Sequence, residues 1–386
     1  MTAAAPFMAL TPLLRMALAA LLLALLPLAW WWLRQRGADA RGRLAALTAL
    51  TLFLTFDLIV FGAFTRLTDS GLGCPDWPGC YGQASPLAAQ ADIAQAQSAL
   101  PTGPVTQAKA WIEMVHRYLA MAVGLLILLA AGAGWRARRL LPHSVGWAFA
   151  TLAWVVLQGL FGKYTVTLKL YPAVVTLHLL GGMALLALLV LQHESFRDRP
   201  LASAVPRSAA LAVLALVVVQ VALGGWVSTN YAVLACNGFP SCNGQWWPPM
   251  DAGQAFTLLR ELGRSADGSF LPAPALVAIH LAHRAFALVA LAALAWLVAR
   301  LARDASQPAR RMALTLALLA LAQVASGVSN VVLGWPLLAA LGHTAGAAAL
   351  VGVLASLAWR LKPQTSAAQP VVSSTTGPAL RTLHFP

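Results

Sequence analysis

Long apolar runs, each ended by polar or basic residues, recur along almost the whole chain. Nine can be delimited, at about 12–33, 45–66, 110–134, 145–166, 173–193, 208–228, 275–300, 311–333 and 336–359. Runs of about 20 apolar residues predict membrane-spanning helices, because the strands of a membrane barrel alternate in polarity over about 10. The first run contains Pro27. Two long polar segments interrupt the series, about 67–109 and 229–274. Within the second, 255–262 fits a short amphipathic helix on a membrane surface and fits plain loop equally well. The segment 362–386, rich in Ser, Thr, Pro and Ala, is expected to be a disordered tail.

Composition sharpens this picture. Of 386 residues, 60% are hydrophobic and only 10% charged, against about 25% charged in a soluble domain. The expected class is an all-α integral membrane protein. A net charge of +14 could suggest nucleic acid, but the basic residues fall in short loops: Arg34, Arg36, Arg41 and Arg43 after the first run, Arg136, Arg138 and Arg139 after the third, Arg197, Arg199 and Arg207 after the fifth, Arg300, Arg303, Arg310 and Arg311 after the seventh, Arg360 and Lys362 after the ninth. They all lie on one side, which the positive-inside rule makes cytoplasmic. The charge therefore reads as topology, with lipid as partner and no nucleic acid. The N-terminus and both long loops are expected outside, the C-terminus inside. The first run lacks a small-residue cleavage site, so it reads as a retained segment, a span or, given Arg15, an interfacial helix.

Runs two to five and six to nine are copies. Cys74, Pro78, Cys80, Gly82 and Gln83 match Cys236, Pro240, Cys242, Gly244 and Gln245 at a constant offset of 162. His116-Arg117 matches His283-Arg284, Gln158 and Gly162 match Gln323 and Gly327, and His178 matches His343. Gly62 is matched to Gly225. Four spans per copy give both the same orientation, so the expected architecture is two pseudo-symmetric four-helix bundles related by an axis along the membrane normal, plus one extra N-terminal span. The divisions are 1–44 (extra span and cytoplasmic loop), 45–195 (N-terminal bundle), 208–361 (C-terminal bundle) and 362–386 (tail).

The chemistry-bearing residues open particular spans. His116 and His178 lie a few residues inside the third and fifth spans, counted from the outer side, and His283 and His343 do so in the seventh and ninth. One histidine in a span is usually a helix–helix hydrogen-bond partner; four, paired by repeat and matched in depth, point to ligands. Each copy offers two imidazoles on separate helices with no third donor at fixed spacing, unlike a tetrahedral zinc site. Two histidines facing across a four-helix bundle are the means of holding a haem by both axial positions. Arg117 and Arg284 either pair with haem propionates or snorkel to the interface. Glu113 lies one turn before His116, where the second copy has His280. That carboxylate either relays protons or stabilises charge at the site, or forms an i, i+4 ion pair with Arg117. The asymmetry suggests chemistry in one copy and electron transfer or support in the other. His143, His193 and His384 read as solvated.

Cys74 and Cys80, and Cys236 and Cys242, form matched pairs in the outer loops. In an oxidising compartment they read as disulfides, most simply within each loop, with crossed pairing or a four-cysteine metal site as alternatives.

The stretch Phe64-Thr65-Arg66-Leu67-Thr68-Asp69-Ser70-Gly71-Leu72-Gly73-Cys74-Pro75-Asp76-Trp77-Pro78, Glu113 through Arg117, Gly225-Trp226-Val227-Ser228-Thr229-Asn230 and the four histidines together resemble the haem A synthase family of aerobic bacteria and mitochondria. The resemblance covers about 45–360. It implies haem b on His283 and His343, a haem O or haem A site at His116 and His178, a catalytic role for Glu113, and outer-loop disulfides. The implied reaction oxidises the C8 methyl of haem O to a formyl group, through an alcohol and a hydrated aldehyde, for cytochrome oxidase. It further implies a bacterial inner membrane with the haem sites near the periplasmic face, and contact with haem O synthase, cytochrome oxidase assembly factors and an electron donor. The family pattern has eight spans, so the first run is a departure. A di-haem b-type cytochrome passing electrons to or from quinone is the alternative; it explains the histidines but neither their common depth nor Glu113. A transporter is disfavoured by the lack of broken helices and midplane charges.

Overall fold

The computed structural model describes residues 5–141, 145–197 and 199–361, with side chains from Thr11 onward. His143, His384 and the tail at 362–386 lie outside the described residues. The helices in chain order are α1 (Ala5–Arg34), α2 (Ala40–Leu67), α3 (Gln90–Ala99), α4 (Gln107–Arg136), α5 (Gly146–Thr167), α6 (Pro172–Arg197), α7 (Arg207–Thr229), α8 (Ala252–Ala255), α9 (Ala273–Ala302), α10 (Gln307–Val332) and α11 (Leu337–Arg360). Among the described residues there is no β-strand, only isolated bridges in the loops.

Nine of these helices are long and fall where the apolar runs predict them. Eight are long and apolar enough to cross a membrane. The other is α5, whose apolarity is diluted by Gln158 and Lys163; it is held between α4 and α6. Helix starts follow local chemistry. Asp39 caps α2 by accepting from Gly42 N–H, Thr106 caps α4 through Lys109 N–H, and Ser306 caps α10 through Ala309 N–H. Of the two readings of 255–262, helix or plain loop, the structure has the loop. Only Ala252–Ala255 is helical, started by Asp251, and the backbone leaves the helix at Phe256.

Two closed rings of contact organise the fold: α2, α4, α5 and α6 form one four-helix bundle, and α7, α9, α10 and α11 the other. Between the bundles, α6 meets α7, α11 meets α2, and α6 meets α11. A twofold axis along the bundles requires this set, since it exchanges the first two contacts and maps the third onto itself. α1 lies outside both rings and packs along α4, with Met16, Ala20 and Ala24 buried there. It is a span-length helix against the N-terminal bundle despite Pro12 and Pro27.

Tight packing concentrates at the arginine-bearing end. Leu297, Leu301, Leu316, Leu354 and Leu357 are fully buried there in the largest apolar cluster, which also joins the two bundles. The packing stops toward the other end. In α10 the buried residues are Ala309, Ala313 and Leu316, all in the first three turns. In α9 none lies between His280 and Ala290, and in α11 none between Ala340 and Ala348. The band left half-open is the level of His283 and His343.

Candidate functional site

Each ligand-candidate histidine faces a glycine on the neighbouring helix. A Cβ on Gly62 of α2 would lie 3.1 Å from His116 Nε2, and one on Gly162 of α5 would lie 3.5 Å from His178 Cε1. In the second bundle the corresponding approaches are Gly224 to His283 Cε1 at 3.0 Å and Gly327 to His343 Cε1 at 3.2 Å. Glycine is needed here because the imidazole lies where a side chain would start. The partner of His283 is Gly224, not Gly225, which meets Leu179 and Thr176 of α6. The 162-residue offset of the cysteine loops also pairs Gly62 with Gly224, so the sequence match to Gly225 is off by one residue, and one residue on a helix is a turn of about 100°.

All four imidazoles are half-buried. His116 on α4 and His178 on α6 come from diagonally opposed helices of the first ring, and His283 on α9 and His343 on α11 from those of the second. Among the described residues no cluster of three or more His, Cys, Asp or Glu is arranged to hold a metal ion. Each bundle thus presents two imidazoles from opposite helices, each ring set against a glycine. That donor set fits a haem, which His116 with His178, or His283 with His343, would hold, and Arg284 Nε, buried without a hydrogen-bond partner, is a spare donor next to His283 in the chain.

Above each pair sits a loop closed by a disulfide, Cys74–Cys80 and Cys236–Cys242. The local chains agree in detail. Tyr81-Gly82 and Asn243-Gly244 all take positive φ, as a two-residue type I′ turn demands. Cys80 and Gln83 exchange both backbone hydrogen bonds, and so do Cys242 and Gln245. The arginine after each histidine reaches into its loop. Arg117 donates to the carbonyls of Asp76 (2.9 Å), Pro78 (3.1 Å) and Gly79 (2.6 Å). Arg284 donates to Cys236 (2.9 Å), Gly238 (3.1 Å) and Ser241 (3.2 Å). Both guanidiniums therefore anchor the loops, and Arg284 does so through its terminal nitrogens alone.

Glu113 is buried and fully engaged. One carboxylate oxygen accepts from Arg117, and the other from Cys74 N–H at 2.8 Å. The carboxylate thus ties the disulfide loop to the helix that carries His116. His280 stands in its place in the second bundle, with Nδ1 3.0 Å from the carbonyl of Ala232. The ion pair and a site role for Glu113 are not exclusive, since each oxygen retains a second lone pair.

Other residues escaped the sequence reading. Gln220 reaches His283 Nδ1 at 3.1 Å and Ser326 reaches His343 Nδ1 at 3.0 Å; the signal was a polar residue inside an apolar span. Asp57 is an exposed acid within the apolar α2. His193 is not a solvated loop residue: it lies in α6, with Nδ1 3.1 Å from the carbonyl of Ala45.

Over residues 45–355 the chain matches the model of the COX15-CtaA family, described as cytochrome oxidase assembly protein. It is 38% identical to "Heme A synthase" of Shewanella oneidensis over 84% of this chain and 98% of that protein. It is 33% identical to "Heme A synthase" of Methylobacterium sp. over 86% of this chain and 95% of the relative, and 30% identical to that of Caulobacter vibrioides over 80% and 93%.

Proposed function

The chain belongs to the COX15-CtaA family of cytochrome oxidase assembly proteins, and from that premise we propose that it is a membrane oxidoreductase that converts haem O to haem A for cytochrome oxidase. The observation that supports this best is a difference between two matched sites: a buried carboxylate, Glu113, one turn from His116, where the other bundle has His280. The N-terminal bundle, with His116 and His178, takes haem O as substrate. The group oxidised is its C8 methyl, which becomes a formyl group through an alcohol and a hydrated aldehyde that loses water.

The residues of the chain do the following. His116 and His178 orient the substrate macrocycle, and Gly62 and Gly162 leave room for their rings. Glu113, fixed by Cys74 N–H and Arg117, takes and returns protons as the alcohol and the hydrated aldehyde form and dehydrate. The disulfide loop tied down by Arg117 limits water over the site. His283 and His343 hold haem b, which supplies electron transfer when bound. Arg284 offers its unpaired Nε–H to a propionate of that haem. The disulfide-loop end faces the periplasm of a bacterial inner membrane.

The test is to express the chain together with a haem O synthase, purify it, extract its pigments in acid acetone and separate them by reversed-phase chromatography. Haem A and its alcohol intermediate beside haem b is the expected result. Haem b alone, with haem O present in the cells, would overturn the reading in favour of a di-haem electron-transfer cytochrome.

A further inference from the structure

The two histidine pairs differ in what holds their rings. Ser326 Oγ lies 2.7 Å from the carbonyl of Ala322 and 3.0 Å from His343 Nδ1. A serine hydroxyl has one proton. Given to the Ala322 carbonyl, it leaves Oγ as an acceptor, so His343 Nδ1 carries the hydrogen and Nε2 is the bare nitrogen. This is the tautomer that binds iron through Nε2. Gln220 also holds the ring of His283. Its amide reaches Nδ1 at 3.1 Å, while its Oε1 is buried without a partner. The same amide nitrogen donates to the His283 backbone carbonyl at 3.2 Å, so Gln220 clamps the ring and its own backbone together.

The first bundle has no such groups. The offsets that align the halves place Leu58 opposite Gln220 and Phe161 opposite Ser326, and neither side chain can hydrogen-bond. His178 Nδ1 is buried without a partner. His116, among the described residues, has no hydrogen bond to its ring and stacks on Phe61 with ring centroids 6.3 Å apart. The rings are also turned differently. The nitrogen nearer the facing glycine is Nδ1 in His283 and His343, and Nε2 in His116 and His178.

We infer that Gln220 and Ser326 are positioning residues that lock the C-terminal imidazoles as permanent haem ligands, and that their apolar counterparts Leu58 and Phe161 leave the N-terminal imidazoles free to turn, which makes that bundle the one that exchanges its haem. The inference rests on the assignment of a resident haem b to His283 and His343. A synthase needs this division: one bundle must keep its haem through every turnover, and the other must take in substrate and release product. A hydrogen bond from Nδ1–H also makes the imidazole a stronger donor, which favours ferric iron and lowers the potential.

The test uses the full chain purified from cells that make haem b but not haem O, with the C-terminal signal defined as the absorbance that His343→Ala removes. Gln220→Leu with Ser326→Ala is expected to speed loss of that haem to excess apomyoglobin by about tenfold or more, the range of such hydrogen-bonded partners, and to raise its midpoint potential. Ser326→Thr, which keeps the hydroxyl, is expected to behave as the parent. Ser326→Ala alone should move both readings in the same direction should the double variant fail to fold. An unchanged loss rate and potential in either haem-loaded variant would overturn the inference, as would a parent protein whose C-terminal haem leaves as readily as its N-terminal one. Neither reading depends on haem A being made, so a failed pigment test leaves them interpretable.

Discussion

Asp69 and Tyr231 stand at equivalent positions in the two halves, 162 residues apart, and are hydrogen bonded to each other, Tyr231 Oη to Asp69 Oδ1 at 2.6 Å. Both backbones take positive φ as they leave α2 and α7. Arg66 joins them, lying over the Tyr231 ring at 3.9 Å and donating to the carbonyl of Ser228, its own counterpart. Equivalent residues can touch only near a symmetry axis, so this cluster fastens the bundles together where the axis leaves the disulfide-loop end. Tyr231→Phe should cost about 1 kcal/mol, a typical single hydrogen bond, read as a lower melting temperature in detergent.

The same pair has a pH signature. Burial lifts the Tyr231 phenol above its ordinary value; the Arg66 charge opposes this, and the bond to Asp69 adds to it. A raised folded-state value means stability that is fully present below the unfolded tyrosine value of about 10 and is lost as pH rises through the folded one. Melting curves of Tyr231→Phe should therefore fall less steeply above about pH 10 than those of the parent. Parallel curves would show that the phenol is not coupled to folding.

Removing Arg117 should be severe. Arg117→Leu strands a buried carboxylate and three loop carbonyls, a loss of about 3–5 kcal/mol for breaking a buried pair. Limited proteolysis should then cut within 70–84, where the parent resists. Arg117→Lys should rescue little, because one ammonium cannot reproduce the fork of donors.

Glu113→Gln keeps an acceptor for Cys74 N–H but removes the charge. The expected outcome is a folded protein with its C-terminal haem intact and haem A reduced by at least about a hundredfold, the scale of general acid–base catalysis. Normal haem A from this variant would remove Glu113 from the chemistry and leave it as the tie between loop and helix.

Gly327 tests the glycine cradle. A Cβ there would lie 3.2 Å from His343 Cε1, so Gly327→Val must push the ring aside. The ratio of haem b to protein should fall about tenfold. The same change at Gly342, which has open space around its Cβ, should leave the ratio near that of the parent.

The sequence by itself determined the class, the nine long helices, the repeat, and the four histidines. These follow from covalent order. An apolar run of sufficient length must cross or lie in lipid, and a polar side chain inside it stands out wherever the helices pack. The tertiary structure alone decided what those side chains touch. Whether Glu113 met Arg117 or served a site was open in the sequence. The fold shows the ion pair together with a bond to Cys74 N–H, 39 residues away. The same holds for Gly224 over its neighbour Gly225, for His193 against Ala45, and for Ser326 and Gln220 behind their histidines. Each depends on helix rotation and a side-chain torsion, settled by contacts with another helix. The periodicity of a single helix carries no record of which partner lies across from it.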